Sequence, residues 1–164
     1  MNIDKIREYA IIKHGNQMYD DKPYLYHLDK VSELAKKYNM GLKYELAAYI
    51  HDVLEDTNAT KNEIIQLSDE SIYDMVFSVS GFGKNRTEKR NDILFKLKNN
   101  IEAINLKMLD RIENMEYSLI NNKKLFEMYK KEIEFYDEYF KLGDSKLYEH
   151  FKGICIETKK PKFY

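Results

Sequence analysis

Cysteine is nearly absent from this 164-residue chain. Cys155 stands alone, so no intramolecular disulfide can form. That usage fits a reducing, cytoplasmic setting. No apolar run approaches the roughly 20 residues that a membrane-spanning helix needs. The first residues, Met1 to Glu8, mix charged with apolar side chains and lack the apolar centre of a signal peptide. A basic excess is missing too: 27 lysines and arginines face 28 acids, for a formal charge of −1. This argues against a dedicated nucleic-acid binder. There is no internal repeat, no low-complexity tract beyond a mild Lys/Asn/Tyr bias, and no convincing series of alternating strands. Gly81-Phe82-Gly83-Lys84 lacks the spacing of a phosphate-binding P-loop. What remains is an ordinary globular balance, 43% hydrophobic and 34% charged. The length favours a single domain over residues 1–164 with a substantial core.

Helical periodicity runs through the chain. Ile3, Ile6, Ala10 and Ile11 mark a first helix that ends near His14-Gly15. A loop with Asp20-Asp21-Lys22-Pro23 follows, and Pro23 disfavours helix at Lys22. Leu28, Val31, Leu34 and Ala35 mark a second helix, ending between Asn39 and Gly41. A third is expected over about 42–55. Thr60 with Glu63 reads as a capping box opening a short helix to Leu67. Ile72, Met75, Val76 and Val79 mark another, and residues 80–85 read as loop. Helices are then expected over about 87–98, 101–119 and 123–141. Beyond Gly143 the pattern weakens, and Ile154-Cys155-Ile156 is open to a short strand or extended segment. The class is all-α.

One stretch is unusually rich in chemistry. His51-Asp52 is followed at once by Val53-Leu54-Glu55-Asp56-Thr57, after the mostly apolar Tyr44 to Ile50. On a helix, His51 and Asp52 would point about 100° apart, and each would sit one turn from an acid, Glu55 and Asp56 respectively. Polar groups carried on a buried helix need partners. His27, at the start of the second helix, and Asp110, which shares a helix face with Asn114, are further candidates from two other helices. Bundle interiors commonly assemble metal sites in this way. Two histidines and two carboxylates suit manganese, iron(II), zinc or cobalt, and fit calcium poorly.

Each feature also has a plainer reading. A histidine on an apolar helix is often only a packed core residue. Glu55-Asp56-Thr57 can be a solvated helix end, although acids there oppose the helix dipole. The basic run Lys84, Arg86, Lys89, Arg90 can be a solvated face, or can hold phosphates if it lines the site. His14 and His150 read as structural or surface residues. Phe135, Tyr136, Tyr139 and Phe140 read as core packing.

Taken together, these residues resemble the HD superfamily of metal-dependent phosphohydrolases. More narrowly, the chain is similar to the (p)ppGpp hydrolase domain of RelA/SpoT proteins and to its small stand-alone forms, the metazoan SpoT homologues. Ala10 to His14, Pro23-Tyr24 with His27, His51-Asp52 with Glu55-Asp56-Thr57, and Asp110-Arg111 with Asn114-Met115 carry the resemblance in order and spacing. It covers a motif-bearing core of about residues 3–120, leaving a C-terminal helix and tail over 121–164. The resemblance implies a compact multi-helix bundle with a metal site at its centre. It implies His27, His51, Asp52 and Asp110 as ligands of one Mn²⁺ or another divalent transition metal. It implies Glu55 and Asp56 as the residues that orient or activate the attacking water, and Asn114 as a nucleoside contact.

One departure stands out. Where the family carries an Arg-Lys pair against the guanine and phosphate, this chain has Tyr19-Asp20. A tyrosine can stack on a base, but an aspartate cannot replace a lysine beside a polyphosphate. The implied activity is a Mn²⁺-dependent nucleotide phosphohydrolase, a (p)ppGpp 3′-pyrophosphohydrolase of the stringent response. Lys107 and Arg111, with Arg86 and Arg90, would steady the anionic group. Two alternatives are a phosphatase on another nucleotide, such as the 2′-phosphate of NADPH or a nucleoside monophosphate, and a non-catalytic nucleotide-binding regulatory module.

Overall fold

The computed structural model describes residues 2–157; residue 1 and the last part of the expected tail, residues 158–164, lie outside the described residues. Among the described residues the fold is all-α apart from one ribbon of two two-residue strands. Helix α1 (Ile3–His14) is capped by Asn2, whose side chain accepts from the amides of Asp4 and Lys5, and it ends at Gly15 with φ 52°. The ribbon pairs β1 (Met18–Tyr19) with β2 (Lys22–Pro23). Asp20, at φ 55°, makes the tight turn between them. Helix α2 (Leu25–Lys37) packs on α3 (Leu42–Ile50). Then come α4 (Val53–Asp56), α5 (Lys61–Leu67), α6 (Glu70–Val79) and α7 (Arg86–Leu97). The last three are α8 (Ile101–Asn121), α9 (Lys123–Phe140) and α10 (Ser145–Glu157). No helix among the described residues is long and apolar enough to cross a membrane.

Two sequence expectations change. The helix expected over 42–55 divides into α3 and α4, with His51 and Asp52 in the turn between. The cause is local. The His51 ring donates from Nδ1 to the Ala48 carbonyl at 2.7 Å. That carbonyl is the one to which the amide of residue 52 would bond in a continuing helix, and a side chain has taken it. Asp52 relaxes to φ −101°, ψ −5°. The segment Ile154-Cys155-Ile156 lies inside α10 and is not extended. Leu147, Phe151, Ile154 and Cys155 bury at helical spacing, and α10 packs on α8. Tertiary burial overrides the local β preference of the isoleucines.

Helix α8 runs through the middle, packed by α2, α6, α9 and α10. Every residue from Ala103 to Glu113 is buried, including Asn105, Lys107, Asp110, Arg111 and Glu113. Surface helices bury one stripe; this one buries its whole circumference, charges included. Each buried charge therefore needs a partner, and those partners build the site.

Candidate metal centre and cavity

Three elements bring His27, His51, Asp52 and Asp110 together. His27 sits in the first turn of α2, His51 and Asp52 in the turn after α3, and Asp110 in α8. One ligand atom from each lies within 4.8 Å of all the others. The two Nε2 atoms are 3.3 Å apart. Asp110 Oδ1 is 3.3 Å from His27 Nε2 and 3.5 Å from His51 Nε2. Asp52 Oδ2 is 2.9 Å from His51 Nε2 and 3.8 Å from His27 Nε2.

The rest of each ring fixes what these atoms can do. His51 Nδ1 faces the Ala48 carbonyl, which only accepts, so the ring proton sits on Nδ1. His27 Nδ1 is bonded to the Glu113 carboxylate, which places its proton there too. In neutral rings both Nε2 atoms then carry bare lone pairs, aimed at each other and at two carboxylates in a buried space. That arrangement is repulsive unless a metal ion or a ring proton sits between them. Asp52, Asp110 and Glu113 bring three carboxylates, and Lys107 brings one ammonium, 2.9 Å from Asp110 Oδ2. Two uncompensated negative charges match a divalent ion. The titration directions express the same demand. Burial alone would lower the His27 pKa, but the Asp110 and Glu113 carboxylates override it and hold it at about 9. Burial would raise the Asp52 and Asp110 carboxyls; the His51 ring pulls Asp52 down, and Lys107 with the two rings pulls Asp110 well down. The cluster can therefore hold a metal ion, and its N/O donor set suits a first-row transition metal.

Beside the cluster opens a cavity of about 460 Å³. Glu55 and Asp56 line it. Glu55 is tied on both oxygens, accepting from the Gly81 amide at 2.7 Å and from Lys89 Nζ at 2.9 Å. Asp56 accepts from Gln17 Nε2 at 2.8 Å. Burial, with the nearby Asp52 charge, raises the Asp56 carboxyl above its ordinary value. Of the basic run, Arg86, Lys89 and Arg90 line the cavity along with Lys107 and Arg111, while Lys84 is not among the lining residues.

Tyr19 does not stand free in the cavity. Its ring stacks on His27 at 4.7 Å, and its hydroxyl lies 3.1 Å from Glu113 Oε2 and 3.0 Å from Asn114 Oδ1. One ring face is thus taken by a residue of the cluster. Asp20 accepts from the Tyr117 hydroxyl at 3.3 Å. Asn114 lines the cavity and donates to Asp110 at 2.5 Å. His14 is buried, stacked on Tyr24 at 4.5 Å and bonded through Nδ1 to Gln17 Oε1 at 2.7 Å. His150 pairs with Glu116 at 2.7 Å, away from the cavity lining. Tyr136 packs in the core as expected and also lines the cavity.

Sequence reasoning missed two neighbours of the cluster. Glu113 orients His27, and its signal was a position three residues after Asp110, one turn along the same helix. Tyr24 donates to Asp52 Oδ2 at 2.5 Å, and its signal was its place three residues before His27. Lys89 was visible only as part of a basic run.

The chain is similar to known proteins in sequence and in fold. The chain is 35% identical over 123 residues to a guanosine-3′,5′-bis(diphosphate) 3′-pyrophosphohydrolase of Spiroplasma citri, covering 70% of this chain and 16% of that protein. It is 30% identical over 112 residues to the protein of the same name from Borreliella burgdorferi, covering 63% of this chain and 17% of that one. The chain thus spans about a sixth of the length of these relatives. Among solved structures, a metazoan ortholog of SpoT described as hydrolysing ppGpp superposes with a TM-score of 0.85 at 19% identity, covering 96% of this chain and 95% of that one. No family model matches.

Proposed function

We propose, on the premise that the chain is a relative of the guanosine-3′,5′-bis(diphosphate) 3′-pyrophosphohydrolases of the RelA/SpoT type, that it is a Mn²⁺-dependent (p)ppGpp 3′-pyrophosphohydrolase. The observation that carries this reading is the convergence of two imidazole Nε2 atoms and two carboxylates beside a cavity lined with both acids and cations. His27, His51, Asp52 and Asp110 would hold the metal. When bound, a divalent ion there supplies Lewis-acid polarisation of a phosphate oxygen and lowers the pKa of a water.

The chain's own residues do the rest. Glu113 holds the His27 ring through Nδ1, and Ala48 holds His51. Tyr24 orients Asp52. Asp56, its carboxyl raised by burial and the nearby Asp52 charge, is the base, because a raised carboxyl pKa favours proton abstraction nearer neutral pH. Glu55, fixed by Gly81 and Lys89, aims the water. Lys107 neutralises Asp110 and limits the negative charge that an incoming phosphate meets. Asn114 lies on the cavity wall where a nucleoside would rest. Tyr19, packed on His27, shapes that wall in place of the family's arginine. We read residues 1–164 as one domain, because α9 and α10 pack on α8, the helix that carries Asp110. A cytoplasmic nucleotide enzyme is consistent with the lone cysteine.

The test is a Mn²⁺ titration of the purified protein against a nucleotide panel. Pyrophosphate release from guanosine-3′,5′-bis(diphosphate), abolished in Asp52→Ala, is the expected outcome. Orthophosphate release from a 2′-phosphorylated dinucleotide instead would support the alternative phosphatase reading, which the Tyr19-Asp20 departure motivates. No release from any nucleotide with metal bound would sink the catalytic reading.

A further inference from the structure

A second cavity, of about 380 Å³, lies between α2 and α8, with Ile154 of α10 on one side. None of the four clustered residues lines it. Its link to the cluster is Glu113, whose carboxylate holds the His27 ring. Glu113 is 4% exposed, and it lines this cavity and not the larger one. Both of its hydrogen bonds fall on one oxygen: His27 Nδ1 and the Tyr19 hydroxyl reach Oε2. Among the described residues no donor reaches Oε1. Each carboxylate oxygen has lone pairs for about two hydrogen bonds, and a buried acceptor left without any is costly. Oε1 is not sealed in the core either, so it opens on the cavity that Glu113 lines.

The rest of the lining says what would fill that oxygen. Glu116, one turn further along α8, adds a second carboxylate. His150 takes its Oε1 at 2.7 Å, and no donor among the described residues reaches its Oε2. Lys30 is the one cation among the described lining residues, and it is turned to Glu33, 2.7 Å away. The α8 wall is therefore acidic. Tyr26 and Tyr117 add aromatic rings, whose faces attract ammonium groups. Lys22 and Lys30 already place theirs 5.4 and 5.9 Å from the Tyr26 centroid. Leu34 and Ile154 supply a buried apolar surface, and Ile120 at the edge is 83% exposed. A ligand matched to this lining has an apolar body and a donor that carries positive charge.

We propose that this cavity binds a small organic cation, a protonated primary amine on an apolar chain, with its ammonium on Glu113 Oε1 and its chain against Leu34, Leu119 and Ile154. An ammonium has three donors and no acceptor, which suits a wall of carboxylate oxygens. A carboxylate ligand would set like charges together, and an apolar one would leave Oε1 unmet. The site rests on Glu113 and its surroundings and is independent of the hydrolase reading. It has a consequence for the cluster. Glu113 stands between the amine and His27. A positive charge on Oε1 weakens the pull of the carboxylate on the His27 Nδ1 proton and makes Nε2 a poorer ligand. It also repels a divalent ion directly. Amine and metal therefore oppose each other, and by linkage each weakens the other by the same factor.

Calorimetry on the full chain, with and without Mn²⁺, tests this with n-hexylamine, n-hexanol and hexanoate as probes. We expect hexylamine to bind the metal-free protein at least about tenfold more tightly than hexanol, and hexanoate to bind more weakly than either. Glu113→Gln should bring hexylamine to the level of hexanol. Leu119→Trp, a change at a half-exposed position that fills the cavity, should abolish binding of both while Mn²⁺ affinity stays at the wild-type value. Saturating hexylamine should weaken Mn²⁺ by about fivefold or more, and Mn²⁺ should weaken hexylamine equally. No binding of hexylamine, or equal binding of hexylamine and hexanol, overturns the site. Hexylamine binding that Leu119→Trp leaves unchanged lies elsewhere and overturns it too. Mn²⁺ affinity unmoved by saturating hexylamine overturns the coupling. Should Glu113→Gln not fold, the probe series in wild type and Leu119→Trp decides the site by itself.

Discussion

The Nδ1 atoms of His27 and His51 decide what their Nε2 atoms can do. With both protons held by Glu113 and the Ala48 carbonyl, the Nε2 lone pairs are committed to the centre of the cluster. Removing an outer partner of a ligating histidine typically weakens metal binding by roughly 10- to 100-fold. Glu113→Ala should therefore lose that much Mn²⁺ affinity in a calorimetric titration while keeping its helical spectrum. An affinity within twofold of wild type would deny Glu113 its orienting role. Asp110→Asn should do more. It removes a ligand atom and strands the buried Lys107 ammonium, and breaking a buried ion pair costs about 3–5 kcal/mol. Denaturation in the presence of a chelator separates that loss from the loss of metal. The candidate ligands were legible because histidine and aspartate carry their chemistry in their names and spacing. Glu113 and Tyr24 were not, because an acid or a tyrosine near a motif is ordinary until the helix rotation that aims it is known.

Among the elements, the turn between α3 and α4 matters most. A continuous helix would have turned His51 and Asp52 about 100° apart; the turn instead sets their ligand atoms 2.9 Å apart. The Ala48 carbonyl that receives His51 Nδ1 both ends α3 and fixes the ring, so one hydrogen bond shapes the backbone and the site. No sequence periodicity announces such a competition between side chain and backbone. Gly81 plays a similar part. A Cβ there would lie 2.9 Å from Lys89 Cβ and from the Lys89 carbonyl. Gly81→Ala should push α7 outward, loosen both groups that hold Glu55, and lower kcat while metal affinity stays unchanged. Equal kcat would show that Glu55 needs no such support. The capping box of α5 was fully legible, and the structure has both of its bonds. Lys13, with the Thr60 amide, holds the Glu63 carboxyl down at about 2, from 4.5. A depressed carboxyl stabilises the fold above its unfolded pKa. That contribution should be intact above about 4.5 and disappear as pH falls from there towards about 2. Denaturation midpoints of wild type and Glu63→Gln should converge across that window; a constant gap would contradict the assignment.

At the scale of the whole molecule, one helix buries charges on every side, and its neighbours are placed to answer them. The all-α class and most helix boundaries were legible because apolar periodicity survives in each helix. The helix over 145–157 was not, because its apolar face is set by packing on α8 and its isoleucines locally favour extension. The cavity was not legible either, since Arg86, Arg90 and Arg111 meet Glu132 only after α7, α8 and α9 are packed. A ligand that binds the folded state alone adds about 2.7 kcal/mol at a hundred times its Kd. For a chain of this size that is a Tm shift of roughly 5–10 °C. Chelation should lower the Tm of the Mn²⁺-loaded protein by that amount, and leave Asp52→Ala nearly unmoved. The most direct test of the central claim, hydrolysis by water attack at phosphorus, is a single turnover of guanosine-3′,5′-bis(diphosphate) in ¹⁸O-enriched water with Mn²⁺ bound. The expected result is guanosine 5′-diphosphate without label and pyrophosphate carrying one solvent oxygen. Full metal occupancy with no pyrophosphate released, or label in the nucleoside, would contradict it.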